Sequence, residues 1–216
     1  MPFQTFNAGE SAYAVFRPKG AGRKPLPAIL FLHGKGESGT DGRQVKVGLP
    51  PRLLAAPDDW PFLVVCPQKP EADRLWPEYQ DLLKAVLADV DARFRTDPAR
   101  RYLTGLSQGG NGTLTLATAL PWRFAALAPV CGWADPMRTA RQLKGIPTWL
   151  FHGTHDAIVP ASCSTAIVDC MVRPDLRGDD PAPRLTLYPG VGHNAWDAAY
   201  AEPELPAWLL SHRVAG

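Results

Sequence analysis

The sequence predicts an α/β protein, a mostly parallel sheet with helices on both faces. Three observations carry that prediction. Short apolar runs, such as "AILFL" at 28–32 and "FLVVC" at 62–66, read as strands buried on both sides. Between strands lie helical stretches, the clearest at 78–94, where Leu82, Leu83, Val86, Leu87, Val90 and Phe94 recur at steps of three and four. Glycine-rich or polar segments follow four of the strands, at the edge where such sheets bind ligands.

Taken in order, residues 12–17 form the first expected strand, followed by the turn "PKGAGRKP". Strands at 28–32 and 62–66 come next, then the amphipathic helix at 78–94. A strand at 101–104 precedes residues 108–120, which are nearly uncharged, rich in Thr, Leu and Ala, and read as a buried helix. Residues 125–130, 148–151 and 185–188 supply three more strands. Residues 161–171 and 202–212 look helical. Strands alternating with helices imply a sheet covered on both faces. The 23 prolines mark element boundaries, and there is no internal repeat or low-complexity segment. A length of 216 residues suits one domain with a large core, so residues 1–216 are read as a single domain.

Composition narrows the function. Hydrophobic residues make up 45% and charged residues 20%, as in an ordinary soluble globular protein. The net charge is +2 and Lys and Arg are scattered, so charge points to neither a nucleic-acid nor a membrane partner. The N-terminus lacks a basic stretch followed by an apolar one, so no signal peptide is expected, and the apolar strand runs are far too short to span a bilayer. Cys66, Cys131, Cys163 and Cys170 form no CxxC and no metal-ligand spacing. The expectation is four reduced thiols, a cytoplasmic setting, no metal and no cofactor.

The chemistry sits after the strands. Gly105-Leu106-Ser107-Gln108-Gly109 fits G-x-S-x-G between a strand and a helix. A serine at such a sharp turn is strained, and its neighbours two residues away must be small to avoid the adjoining backbone. Its hydroxyl is lifted out of the sheet beside a helix N-terminus, which favours negative charge. Ser107 is therefore the candidate nucleophile. A serine hydroxyl needs a base, and the base an orienter. In this architecture the order is serine, acid, histidine. His193, in the glycine-rich loop after the last strand, is the candidate base. Asp156, after the penultimate strand, is the candidate acid, with Asp135 as rival and Asp197 as a weaker one. His33 and His152 are expected to make structural hydrogen bonds, and His212 sits near the end of the last helix.

Acyl transfer also needs donors for an oxyanion. The backbone N–H of Gln108 is one candidate. That of Lys35, between Gly34 and Gly36 in the loop after the strand at 28–32, is the other.

These residues resemble the α/β-hydrolase superfamily. More narrowly they resemble small bacterial serine esterases of the carboxylesterase/phospholipase and dienelactone-hydrolase-like group. Relatives in that group include predicted peptidases and polyhydroxybutyrate-depolymerase-like esterases. The stretches that carry the resemblance are "LFLHGKGESGTDG", "VVCPQ", "YLTGLSQGGNGTLTLA", "FAALAPVCGW", "IPTWLFHGTHDAIVP" and "YPGVGHNAWDAAY". The resemblance implies Ser107, Asp156 and His193 as triad, and Lys35 and Gln108 as oxyanion donors. Dienelactone hydrolases proper use a cysteine nucleophile, where this chain has Ser107. At Lys35 relatives often carry a small or apolar residue, and its ammonium either attracts an acidic substrate or points to solvent. Trp76, Trp133 and Trp196 either line a substrate pocket or cap the core beside it. Glu37 braces the oxyanion loop. The stretch 131–146, where relatives insert cap domains, is short, which implies an open, shallow cleft for short-chain or accessible esters. The implied substrate is a small-molecule ester cleaved through an acyl-enzyme. Thioester or peptide hydrolysis and non-catalytic ligand binding are the alternatives.

Overall fold

A computed structural model describes residues 3–9, 11–22, 24–178 and 180–214. Eight strands form its sheet: β1 (Phe3–Ala8), β2 (Ser11–Phe16), β3 (Leu26–Leu32), β4 (Leu63–Pro67), β5 (Thr96–Leu106), β6 (Ala126–Val130), β7 (Trp149–Gly153) and β8 (Arg184–Tyr188). Their spatial order is β1-β2-β4-β3-β5-β6-β7-β8. From β4 to β8 every pairing is parallel. The β1–β2 hairpin adds on antiparallel at one edge. The helices are α1 (Leu49–Ala55), α2 (Gln80–Arg93), α3 (Gln108–Leu116), α4 (Pro136–Gln142), α5 (Ser162–Met171), α6 (Pro174–Arg177), α7 (Trp196–Ala201) and α8 (Leu205–Ser211). Among the described residues no helix is long and apolar enough to cross a membrane.

Strand pleating explains why β3 is apolar throughout. Leu30 and Leu32 face one side, in a core with Leu83, Val86, Leu87 and Val90 of α2 and Leu114 of α3. Ile29 and Phe31 face the other, with Leu53 of α1, Tyr200 of α7 and Leu209 of α8. Side chains alternate across a strand, so a strand covered on both faces must be apolar at every position. Each fully buried leucine or isoleucine contributes roughly 1.5–3 kcal/mol of transfer free energy. Together these layers hold the C-terminal strand ends rigid.

The expected strands are present, and the helices differ in their limits. A 3-10 turn at Trp76–Tyr79 precedes α2, because Pro77 suits a helix start. α3 stops at Leu116 rather than 120, ahead of Pro121. The C-terminal helix expected at 202–212 is shorter, running as α8 from Leu205 to Ser211, with Pro203 ahead of it and Pro206 in its first turn. β5 begins five residues earlier than expected, and its register against β3 shifts between Leu26 and Ala28. β1, α1, α4, α6 and α7 lie where no element was expected.

Candidate active site

Ser107 follows β5 and precedes α3 with φ 54° and ψ −115°. Such a left-handed non-glycine conformation is strained and is held by its surroundings. Its amide donates to the Val130 carbonyl at 2.9 Å, and its carbonyl accepts from Asn111 N at 2.9 Å. The glycines are sterically required. A Cβ on Gly109 would lie within van der Waals overlap of Leu32 O, at 1.9 Å, and one on Gly105 would lie 2.5 Å from Gly109 O.

His193 lies in the loop between β8 and α7. That loop is tied to the one after β7: Thr154 N donates to Tyr188 O at 3.0 Å, His155 N to Val191 O at 2.9 Å, and Gly190 N to Thr154 Oγ1 at 2.9 Å. The ties bring the two chain segments into register. His193 Nε2 then sits 2.9 Å from Ser107 Oγ, and Nδ1 2.7 Å from Asp156 Oδ2.

Both oxygens of the buried Asp156 carboxylate are engaged. Oδ1 accepts from the amides of Ile158 and Val159, each at 2.9 Å. Burial opposes its ionisation, but the bond from His193 and the two amides outweigh burial and hold the carboxyl below its usual range. Donation from His193 Nδ1–H leaves Nε2 as acceptor toward Ser107, the arrangement of a general base. Cys131, at φ 48° after β6, places its buried sulfur within 4.8 Å of Asp156 and His193 ligand-type atoms. The rivals do other work. Asp135 caps α4 by accepting from Arg138 N at 2.7 Å, and Asp197 faces the Asn194 side chain. His152 is buried between Ser164 Oγ and Val159 O. His33 is buried as well, bonded to Gly34 O at 2.6 Å and to Lys69 N at 3.1 Å.

Opposite the imidazole lies the loop after β3. Lys35–Glu37 form a 3-10 turn, and Gly34 N donates to Glu37 Oε2 at 3.0 Å, so Glu37 braces the loop from within. Burial raises the Glu37 carboxyl above its ordinary pKa. Lys35 and Gln108 line the cleft together with Ser107. As the first residue of α3, Gln108 presents an amide without an intrahelical acceptor. The Lys35 side chain is 62% exposed, and its ammonium pairs with Asp73 at 2.6 Å. Of the two flanking glycines, only Gly34 is tightly approached, with a Cβ there 2.8 Å from Leu106 Cδ1. A Cβ on Gly36 would meet nothing within 4 Å.

These groups share a cleft of about 670 Å³. Its apolar wall is Trp133, Trp196 and the segment Ile158, Val159, Pro160, with Cys163 beside it. Trp196 meets the His193 ring edge-on at 5.4 Å. Trp76 does not reach the cleft. It is fully buried, its Nε1 donates to His33 O at 2.9 Å, and its ring packs against Gly112. The physical reason is local: the 3-10 turn at Trp76–Tyr79 tucks the indole against the His33 carbonyl, ahead of the Lys35–Glu37 turn, rather than into the cleft.

Sequence reasoning missed the 158–163 wall, which nothing but its position after Asp156 marks. It also missed Gln68 and Lys69. Gln68 Nε2 donates to Glu37 O at 2.9 Å and Oε1 accepts from Gly42 N at 2.9 Å. Polar residues following an apolar strand are the signal that located the other segments, and the end of β4 carries it too.

Comparison with known proteins places the chain in a family. The Esterase family model, described as "Putative esterase", matches residues 9–209. Among curated proteins, one of Nocardia uniformis subsp. tsuyamanensis, named "Putative esterase NocK", is 30% identical over 81% of this chain and 53% of its own length. Carboxylesterase SOBER1 of Arabidopsis thaliana is 26% identical over 77% of this chain and 82% of its own. Among solved structures, a thermostable esterase superposes with a TM-score of 0.81 at 28% identity, over 99% of this chain and 64% of that one. The chain thus spans about half the length of the Nocardia relative. The parallel sheet is that of an α/β-hydrolase, and the chain belongs to the Esterase family.

Proposed function

We propose that the protein is a serine hydrolase of carboxylic esters, a single hydrolase domain that works through Ser107, His193 and Asp156. One observation carries the reading: the imidazole bridges the hydroxyl and the buried carboxylate, with contacts of 2.9 and 2.7 Å. Ser107 Oγ attacks the ester carbonyl carbon as His193 Nε2 takes its proton. The amides of Lys35 and Gln108 stabilise the tetrahedral oxyanion. His193 returns the proton to the departing alcohol, leaving an acyl-enzyme. Water, deprotonated by the same imidazole, then releases the acid. Asp156 holds the imidazole tautomer and its developing charge. The scheme draws only on groups of this chain.

A volume of about 670 Å³ lies within the range of pockets that take a drug-sized ligand, so the cleft accommodates more than an acetyl ester. With Trp133, Ile158, Val159 and Pro160 in its wall, it favours a substantial apolar acyl or alcohol group. The name of the Arabidopsis relative supports carboxylic esters as the class.

The test pairs hydrolysis of p-nitrophenyl esters of increasing acyl length with fluorophosphonate labelling. The wild type is expected to turn over these esters and take one label on Ser107. The variant Ser107→Ala should lose at least about 10⁴-fold in kcat with its circular dichroism unchanged. Full turnover by that variant overturns the proposal.

A further inference from the structure

We propose that Lys69 is a positioning residue of the oxyanion loop, its buried ammonium and backbone together clamping both ends of the segment that carries the Lys35 amide. This rests on the esterase reading above.

The geometry is unusual for a lysine. Lys69 is completely buried, at the C-terminal end of β4, with only Gln68 between it and the strand. Its amide donates to His33 Nε2 at 3.1 Å, at the start of the oxyanion loop. Its carbonyl accepts from Gly39 N at 2.9 Å, at the end of the loop. Its Nζ donates to Ser38 Oγ at 2.8 Å and to Glu71 O at 2.6 Å. One residue thus grips positions 33, 38 and 39, on either side of the 3-10 turn Lys35–Glu37. The bond to His33 also sets that ring's tautomer. Nε2 accepts, so Nδ1 carries the hydrogen and donates to Gly34 O at 2.6 Å, next to Lys35.

Burying an ammonium is unfavourable unless hydrogen bonds replace its water. A methionine would fill the same space more comfortably, so stability alone gives a weak reason for a lysine here. An oxyanion hole does give one. Its donors must be held within fractions of an ångström before charge develops, and a loop flanked by glycines does not hold itself. The Nζ–Ser38 bond closes the turn outside the cleft, whose lining includes neither residue.

The charged and titratable groups that act on the ammonium are Lys35 and Glu37 from the loop, Glu71 and Asp73 from the segment after β4, Glu78 from the turn before α2, and His33 from the end of β3. Burial lowers the Lys69 pKa to about 8, with Asp73, Glu37 and Glu71 opposing that fall and Lys35 adding to it. A neutral amine still donates, but without charge assistance, so the clamp weakens as pH rises through this value. The wild type should therefore show an alkaline limb in kcat near pH 8.

The experiment compares wild type, Lys69→Met and Ser38→Ala on p-nitrophenyl butyrate from pH 6 to 9.5, with circular dichroism melts and fluorophosphonate labelling alongside. The Met variant keeps the side-chain volume and both backbone bonds. Its kcat at pH 7 should fall ~10-fold or more with KM within about twofold, and its alkaline limb should vanish. Ser38→Ala, which removes one acceptor of the clamp, should show a smaller loss of kcat in the same direction. Should Lys69→Met fail to fold, the wild-type limb and Ser38→Ala decide the matter. Full kcat in either variant, a wild-type profile flat from 7 to 9.5, or a limb that persists in Lys69→Met overturns the proposal. If the wild type neither turns over ester nor takes label, the esterase reading fails and this one with it. If it does both while the variants match it, only the role of Lys69 fails.

Discussion

Replacing Asp156 by Asn tests the site at its least conspicuous member. The substitution conserves shape, and the surroundings dictate how the amide must lie. Oδ1 accepts two backbone N–H groups, from Ile158 and Val159, both at 2.9 Å. An amide NH₂ cannot face two donors, so the amide oxygen must take that position. The NH₂ then points at His193 Nδ1, now 2.7 Å from Oδ2. That nitrogen must accept, which moves the ring proton to Nε2. Ser107 Oγ, 2.9 Å away, then faces a donor and has lost its base. A wrong tautomer in otherwise intact geometry lowers kcat by about 10⁴-fold, equivalent to ~5 kcal/mol of barrier. The measurement is steady-state hydrolysis of p-nitrophenyl butyrate at pH 7, with a thermal melt to verify folding. Asp135→Asn is the control. Asp135 caps α4, a position where Asn serves as well as Asp, so its variant should leave kcat within about twofold and stability within ~0.5 kcal/mol. An Asp156→Asn enzyme that retains a tenth or more of wild-type kcat, or an Asp135→Asn enzyme that loses as much, would refute the reasoning.

Three further outcomes concern the scaffold. Gly109→Ala pushes a Cβ to 1.9 Å from Leu32 O, between two backbones that cannot move apart, and should cost roughly 5 kcal/mol, a Tm fall of ~10–20 °C. Gly36→Ala meets nothing within 4 Å and should melt within about 2 °C of wild type. Burial lowers the His33 pKa to about 4. The folded protein therefore resists protonation there, and its stability is complete above the unfolded value of about 6.5 and declines as pH falls from there toward 4. Urea titrations across that window should show a loss of ~3 kcal/mol, and His33→Gln should flatten the slope.

The legible part of this protein was the part governed by steric necessity. Strands buried on both faces leave no room for polar alternation, so β3, β4 and β6 announce themselves. The elbow is equally plain, because Gly105 and Gly109 stand two residues either side of Ser107, where the backbone of β3 comes too close for any side chain. The segments carrying Asp156 and His193 follow from the rule that function gathers at strand ends. Elements of weaker local pattern were harder. β1 alternates only partly, and its one strong sign is Gly9 in the turn to β2, at φ 62°. α4 carries a capping signal, Asp135 before Pro136, that reads as a loop when the acid is weighed for catalysis. Trp76 shows the reverse failure. A tryptophan near a catalytic loop invites a pocket role, yet only the tertiary structure reveals that its indole N–H serves a buried carbonyl.

The position of β8 has a thermodynamic consequence. It is the outermost strand on its side, paired with β7 alone and partly solvated along its length. The imidazole is suspended just beyond it. Peeling this single strand would separate proton acceptor from hydroxyl while the interior of the sheet stays paired. Integrity of the proposed site is thus expected to be lost ahead of the global fold, and under mild denaturant turnover should vanish before ellipticity does.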